Sequence, residues 1–224
     1  MSLDTTSATS LADAIATFTA GIAKHAPPEV LATLGAELRK LADSGIATRA
    51  LQVGARAPDF SLPDAHGRLV ALTNVVARGP VVITFYRGGW CPFCDLQLRA
   101  YQSVLAQIHD LGAELVAISP QTPDYALSDV EKKQLTFPVL TDKGNRVARQ
   151  YGLAFSLSEA LRGLQTGFGN PLPKFNGDDS WELPVPGTFV LDGRGVVRLG
   201  HVDPDYTKRL EPAAVLAALQ GMRS

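Results

Sequence analysis

Two cysteines, Cys91 and Cys94, are the only ones in the chain, and they stand three positions apart. Two thiols at that spacing on the opening turn of a helix are close enough to bond to each other. Redox chemistry then follows, because the thiolate is the reactive form and attacks sulfur or oxygen. They close the stretch Phe85-Tyr86-Arg87-Gly88-Gly89-Trp90-Cys91-Pro92-Phe93-Cys94. Arg87 places a cation near them, which lowers a thiol pKa, unless it is simply a solvated turn residue. Trp90 is expected to pack beside the dithiol. A zinc site needs four ligands. Here there is no second cysteine pair, and His25, His66, His109 and His201 are scattered. A redox-silent pair packed under Trp90 and Phe93 is the other bland reading.

The pair needs a strand to deliver it and a helix to receive it. Val81 to Phe85 is a continuous apolar run, as in a strand buried on both faces. Leu98, Tyr101, Leu105 and Ile108 then mark one face of a long helix that Gly112 ends. The unpaired N–H groups and partial positive charge of a helix start stabilise a thiolate. They can bring its pKa from about 8.5 to about 3.5–7.5.

Further along, Glu114 to Ser119 reads as a buried strand, Pro123 to Lys133 as a helix, Phe137 to Leu140 as a short strand and Asn145 to Tyr151 as a short helix. Residues 156–186, rich in Gly, Pro, Asn and Asp, read as a long inserted loop. Trp181 and Phe168 in it would line a substrate groove or anchor the loop. Thr188 to Leu191, the turn Asp192-Gly193-Arg194-Gly195, and Val196 to Leu199 form a hairpin, and Pro212 to Met222 a last helix. Asp64-Ala65-His66-Gly67 is a turn before a short strand at Leu69 to Leu72. Early alternation of strand and helix with a late hairpin predicts an α/β fold, a mixed sheet with helices on both faces.

Residues 1–50 form an N-terminal helical extension to a domain at 51–224. Leu11, Ile15, Phe18 and Ile22 recur at helical spacing, as do Leu31, Leu34, Leu38 and Leu41, with Pro27-Pro28 between. Each stripe packs on the main domain by default, or else forms a homodimer contact.

The chain has 224 residues, 46% apolar and 19% charged, enough for a large core without disulfide staples. A net charge of −1 gives no electrostatic reason to bind nucleic acid or an anionic membrane. No apolar run approaches the roughly 18 residues of a membrane span. Met1 to Thr6 lacks a basic, then apolar, secretion signal, so a cytoplasmic location is expected. There a lone Cys-x-x-Cys is catalytic more often than structural.

From about residue 53 to 222 the chain resembles the alkyl hydroperoxide reductase/thiol-specific antioxidant family, peroxiredoxins of the thioredoxin fold. The likeness is carried by Gly54-Ala55-Arg56-Ala57-Pro58-Asp59-Phe60, the Phe85–Cys94 segment, Leu111 to Ser119, Phe137-Pro138-Val139-Leu140-Thr141-Asp142 and Val147 to Gly152. The family's Pro-x-x-x-Thr-x-x-Cys pattern lays its attacking cysteine on Cys94. It lays its threonine on Cys91, its proline on Arg87, and its assisting arginine near Pro186. Trp90-Cys91-x-x-Cys94 and Val185-Pro186-Gly187-Thr188 look like thioredoxin instead, whose proline is cis and faces the dithiol.

The resemblance implies a thiol-dependent peroxidase with no cofactor. Cys94 attacks a hydroperoxide, Cys91 condenses with the sulfenic acid, and a thioredoxin-like or low-molecular-weight thiol reduces the disulfide. In the alternative, Cys91 attacks a substrate disulfide and Cys94 resolves the mixed disulfide. A third reading is a redox-sensing interaction module that uses the N-terminal helices. His201, Asp203 and Asp205 have metal-like residue types, but Asp203-Pro204-Asp205 reads first as a turn.

Overall fold

A computed structural model describes residues 10–223. The expectation about Met1 to Thr6 lies outside them. In chain order the elements are α1 (Leu11–His25), α2 (Pro28–Asp43), α3 (Ile46–Arg49), β1 (Ser61–Pro63), β2 (Leu69–Ala71), α4 (Leu72–Val76) and β3 (Val81–Phe85). Next come α5 (Pro92–Ser103), α6 (Leu105–Asp110), β4 (Glu114–Ser119), α7 (Pro123–Lys133), β5 (Val139–Thr141), α8 (Arg146–Gln150) and β6 (Ala154–Ser156). The chain ends with α9 (Glu159–Gly167), α10 (Leu172–Asn176), β7 (Glu182–Pro184), β8 (Gly187–Leu191), β9 (Val197–Val202) and α11 (Pro212–Gly221). Among the described residues no helix is long and apolar enough to cross a membrane.

The central sheet has the order β5-β4-β3-β8-β9. β3 runs parallel to β4 and antiparallel to β8, so the sheet is mixed, as the strand–helix alternation predicts. All five residues of β3 are buried, because helices cover both faces. Val81, Ile83 and Phe85 face one core with Tyr151, Val116 and Phe189. Val82 faces the other with Leu98, Tyr101, Ile108 and both cysteines. This alternation is the period-two geometry of a strand.

The long helix after the cysteines divides at Val104 (φ −109°, ψ 7°) into α5 and α6, yet Leu98, Tyr101, Leu105 and Ile108 all stay buried. The 156–186 segment is not a loop. It carries α9, α10 and the antiparallel pair β6–β7. Leu157, Leu172 and Leu183 form their own small core there, edged by Trp90, Phe155, Leu161 and Trp181. Its glycines and prolines sit mainly at helix ends, and Ser158 caps α9 by accepting from Leu161 N (3.3 Å).

The two N-terminal helices behave differently. α1 packs on the domain: Leu11 and Ile15 are buried, Phe18 meets Phe93 edge to face, and Glu211 accepts from Leu11 N and Ala12 N at 3.2 and 2.7 Å. α2 buries no residue completely.

Candidate active site

β3 ends at Phe85, and the chain turns through Arg87, Gly88 and Gly89 before α5 begins. The turn admits no side chain at its glycines. A Cβ on Gly89 would lie 1.8 Å from Asp129 Oδ1, and one on Gly88 (φ 148°) would lie 2.4 Å from the Trp90 indole nitrogen. Gly89 N–H donates to Gln121 Oε1 (2.6 Å), which pins the turn to the end of β4.

Cys91 is the N-cap of α5, with Pro92 in the first turn. Its Sγ accepts the Cys94 N–H (3.4 Å), so the expected helix-start environment is present. Both cysteines are free and fully buried. Arg87 Nη2 donates to Cys91 Sγ at 3.0 Å, and its guanidinium lies 4.1 Å from the Tyr206 ring centroid and 5.5 Å from that of Trp90. Arg87 and Trp90 are therefore brought to the dithiol, as their spacing suggests.

Pro186 departs from the thioredoxin pattern. There is no cis peptide bond among the described residues, so Val185–Pro186 is trans. The chain passes extended from β7 into β8: Val185 N–H donates to Leu153 O (2.8 Å), and Gly187 already pairs with Phe85. Thr188, two residues on, enters the polar network beside the dithiol instead.

That network contains the residue the sequence did not single out, Arg209. Its Nη2 donates to Cys94 Sγ (3.5 Å), its Nη1 to Gln97 Oε1 (2.6 Å) and its Nε to Tyr206 O (2.7 Å). Gln97 Nε2 in turn donates to Thr188 Oγ1 (3.2 Å), which lies 3.0 Å from Thr84 Oγ1 on β3. Tyr101 OH donates to Leu210 O (3.0 Å), holding the Arg209 segment against α5. The only local signal for Arg209 was a cation in a short linker after the hairpin, which is too common a feature to mark a site.

The pair is electrostatically asymmetric, because one thiol donates its proton to the other. Burial opposes a charge on either sulfur. At Cys94 the hydrogen bond from the Cys91 thiol and the charges of Arg209 and Arg87 overcome burial and hold the thiol well below its ordinary range. At Cys91, burial and the donation of its proton to Cys94 outweigh Arg87 and push the thiol well above it. Arg87 makes the shorter sulfur contact, at Cys91, and taken alone it would put the charge there. Both arginines act on both sulfurs, so what favours the charge on Cys94 is the shared proton, which Cys91 keeps. The pair thus titrates as one unit, losing its first proton easily and its second with difficulty.

His201, Asp203 and Asp205 do not gather a site. Asp203 and Asp205 accept from backbone N–H groups two residues on, as turn carboxylates do. Phe168 lines a cavity of about 790 Å³ that reaches Arg87, whereas Trp181 packs in the small core under α9.

A mixed five-stranded sheet with a buried vicinal dithiol at a strand–helix junction defines a thioredoxin-fold thiol oxidoreductase. Comparisons with known proteins narrow this. The AhpC/TSA family profile matches residues 53–199. The chain is 31% identical over 174 residues to chloroplastic peroxiredoxin Q of Triticum aestivum, covering 78% of this chain and 70% of that one. It is 29% identical over 104 residues to the thiol-disulfide oxidoreductase ResA of Bacillus thuringiensis, covering 46% of this chain and 59% of that one. The crystal structure of peroxidoxin BcpB from Mycobacterium tuberculosis shares the fold, with a TM-score of 0.62 at 23% identity over 78% of this chain and 99% of that one. The chain belongs to the AhpC/TSA family and is a thiol-dependent peroxidase of the peroxiredoxin type. Helices α1–α3 and Arg209 lie outside the matched segment.

Proposed function

We propose that this peroxidase works through Cys94 as the attacking sulfur and Cys91 as the resolving one. The observation that carries the assignment is the hydrogen bond from the Cys91 thiol to Cys94, which, with Arg209 at 3.5 Å, favours a single negative charge on Cys94. The Cys94 thiolate attacks one oxygen of a hydroperoxide and the O–O bond breaks. An alkoxide or hydroxide leaves and takes a proton, and Cys94 becomes a sulfenic acid. Arg209 and Arg87 stabilise the oxygen charge that develops, in a dry site where a fixed cation acts strongly. Arg209 thereby fills, from a different segment, the role of the arginine missing near Pro186.

Cys91, having given up its proton, then attacks the Cys94 sulfur and expels the sulfenic oxygen as water. The balance is one hydroperoxide and two thiols to one alcohol, one water and the Cys91–Cys94 disulfide. A thioredoxin-like dithiol or a small thiol returns the two electrons. That cycle suits a reducing compartment such as the cytoplasm.

The test uses stoichiometric hydrogen peroxide and thiol counting. Cys91→Ser is expected to consume one equivalent and stop at the sulfenic acid, while Cys94→Ser stays inert. The reverse pattern, or loss of wild-type thiols no faster than free cysteine at the same pH, would overturn the assignment. The similarity to ResA favours disulfide exchange as the second reading, with Cys91 first. In that case Cys91→Ser abolishes reduction of insulin disulfides, and peroxide reactivity stays at the level of free cysteine.

A further inference from the structure

We propose that Tyr206 is a positioning residue for the resolving thiol. Its ring holds the Arg87 guanidinium against Cys91, so that Cys91 ionises when it must close the disulfide. The closure step rests on the peroxidase reading; the hold on Arg87 does not.

The order of events creates the need. In the reduced pair Cys91 keeps the shared proton and Cys94 carries the charge. Once Cys94 is a sulfenic acid, Cys91 must itself become the attacking thiolate. Burial opposes a charge there. The charged groups that face Cys91 are Arg87 on the turn and Arg209 beyond β9, with Cys94 on α5 as its titrating neighbour. Arg87 is in contact with it, Nη2 lying 3.0 Å from Cys91 Sγ.

Arg87 is held mainly by rings. Its Nε is buried without a hydrogen-bond partner. The guanidinium lies 4.1 Å from the Tyr206 centroid and 5.5 Å from that of Trp90, so Tyr206 is the closer platform. A cation over a ring face, away from water, is strongly attracted to it. Tyr206 is fixed in turn. Its ring packs on Phe93 of α5 with centroids 5.4 Å apart, and its backbone O accepts from Arg209 Nε (2.7 Å). The flanking chain is tied down: Asp205 accepts from Thr207 N and Oγ1 at 3.0 and 2.7 Å, and Leu210 O accepts from Tyr101 OH at 3.0 Å.

One residue therefore serves both guanidiniums, by its ring for Arg87 and by its carbonyl for Arg209. A side-chain substitution removes the first hold and keeps the second. Tyr206 lies beyond the matched residues 53–199, so this arrangement belongs to the chain's own C-terminal segment.

The test titrates Cys91 in a Cys94→Ser background through the pH dependence of iodoacetamide alkylation. Tyr206→Leu is expected to raise the midpoint by about one pH unit. Tyr206→Phe, which keeps the ring, is expected to restore it. Fluorinated phenylalanines at position 206 keep the shape of the ring while draining its negative face, so the midpoint should climb with each fluorine whether or not the leucine variant folds. In an Arg87→Met background Tyr206→Leu should move nothing further, because Tyr206 acts through Arg87. With the dithiol intact, closure after stoichiometric hydrogen peroxide, followed by trapping the sulfenic acid with dimedone, is expected to slow about tenfold in Tyr206→Leu. An unmoved midpoint, a flat fluorine series, or the same shift with and without Arg87 overturns the proposal. A moved midpoint with closure at the wild-type rate overturns the part of Tyr206 in the reaction. If wild-type thiols are lost no faster than free cysteine, the peroxidase reading falls, and the titration alone decides whether Tyr206 holds Arg87.

Discussion

Two arginines reach the dithiol, Arg87 at Cys91 and Arg209 at Cys94. Removing Arg209 takes away a cation 3.5 Å from Cys94 and frees Gln97. Because Cys94 is held low, its thiolate persists as pH falls from the ordinary thiol range and is lost only below the depressed midpoint. Arg209→Met is therefore expected to move the midpoint of the pH–rate profile upward, toward about 8.5. Each unit of that movement costs about tenfold in rate at a pH below the midpoint. Iodoacetamide alkylation of the Cys91→Ser background across pH measures it, and an unmoved midpoint would remove Arg209 from the site. Arg209 was not legible beforehand, since its partner lies 115 residues away in sequence and no local pattern encodes that contact. The cysteines and Arg87 were legible because strand, glycine turn and helix start lie within one short segment.

Elements place these residues only where the turns permit. The β3–α5 turn accepts no Cβ at Gly89, which abuts buried Asp129 and its partner Lys133 (2.9 Å). Gly89→Ala is expected to cost about 1–3 kcal/mol in urea unfolding through overpacking. Gly163, exposed within α9 with nothing near its Cβ position, is a matched contrast. Gly163→Ala there should stabilise by about 0.5–1 kcal/mol, and equal effects at the two sites would refute the packing account.

The β8–β9 turn carries a second such device. Burial raises the Asp192 pKa, but its hydrogen bonds from Val196 N, the Arg198 guanidinium and Arg194 N together outweigh burial and hold it at about 2. A carboxyl lower in the folded state than its unfolded value of about 3.9 stabilises fully above that value, and the gain is lost as pH falls toward about 2. Asp192→Asn is expected to lower Tm at pH 7 and to flatten the acid loss in that window. A thermal melt series against pH reads both. This hairpin was legible from Asp192-Gly193-Arg194-Gly195. The α9–α10 region was not, because its glycine and proline content reads as a loop until Leu157, Leu172 and Leu183 are seen to meet.

At the scale of the whole molecule the dithiol is closed. Both sulfurs have zero exposure, under a lid that includes Phe93, Tyr206 and Phe18 of α1. A compact oxidant needs a small opening, whereas a protein reductant must meet a disulfide brought to the surface by local unfolding of the first turn of α5. A bulky aromatic disulfide reagent should therefore react at least tenfold more slowly than iodoacetamide, each normalised to free cysteine. Urea below the unfolding transition should narrow that gap, and equal normalised rates in water would show an open site.

By itself the amino-acid order determined the strand–turn–helix that carries Cys91 and Cys94, the buried strands, the hairpin and the α/β class. These follow from periodicity and turn chemistry acting over a few residues. Only the tertiary structure decided that Arg209 reaches Cys94, that Pro186 is trans, and that α1 is packed down while α2 walls a cavity ending at Arg87. Those outcomes depend on which distant surfaces come together. Apolar burial, which drives that assembly, is non-directional and leaves no mark of its partner in the local sequence.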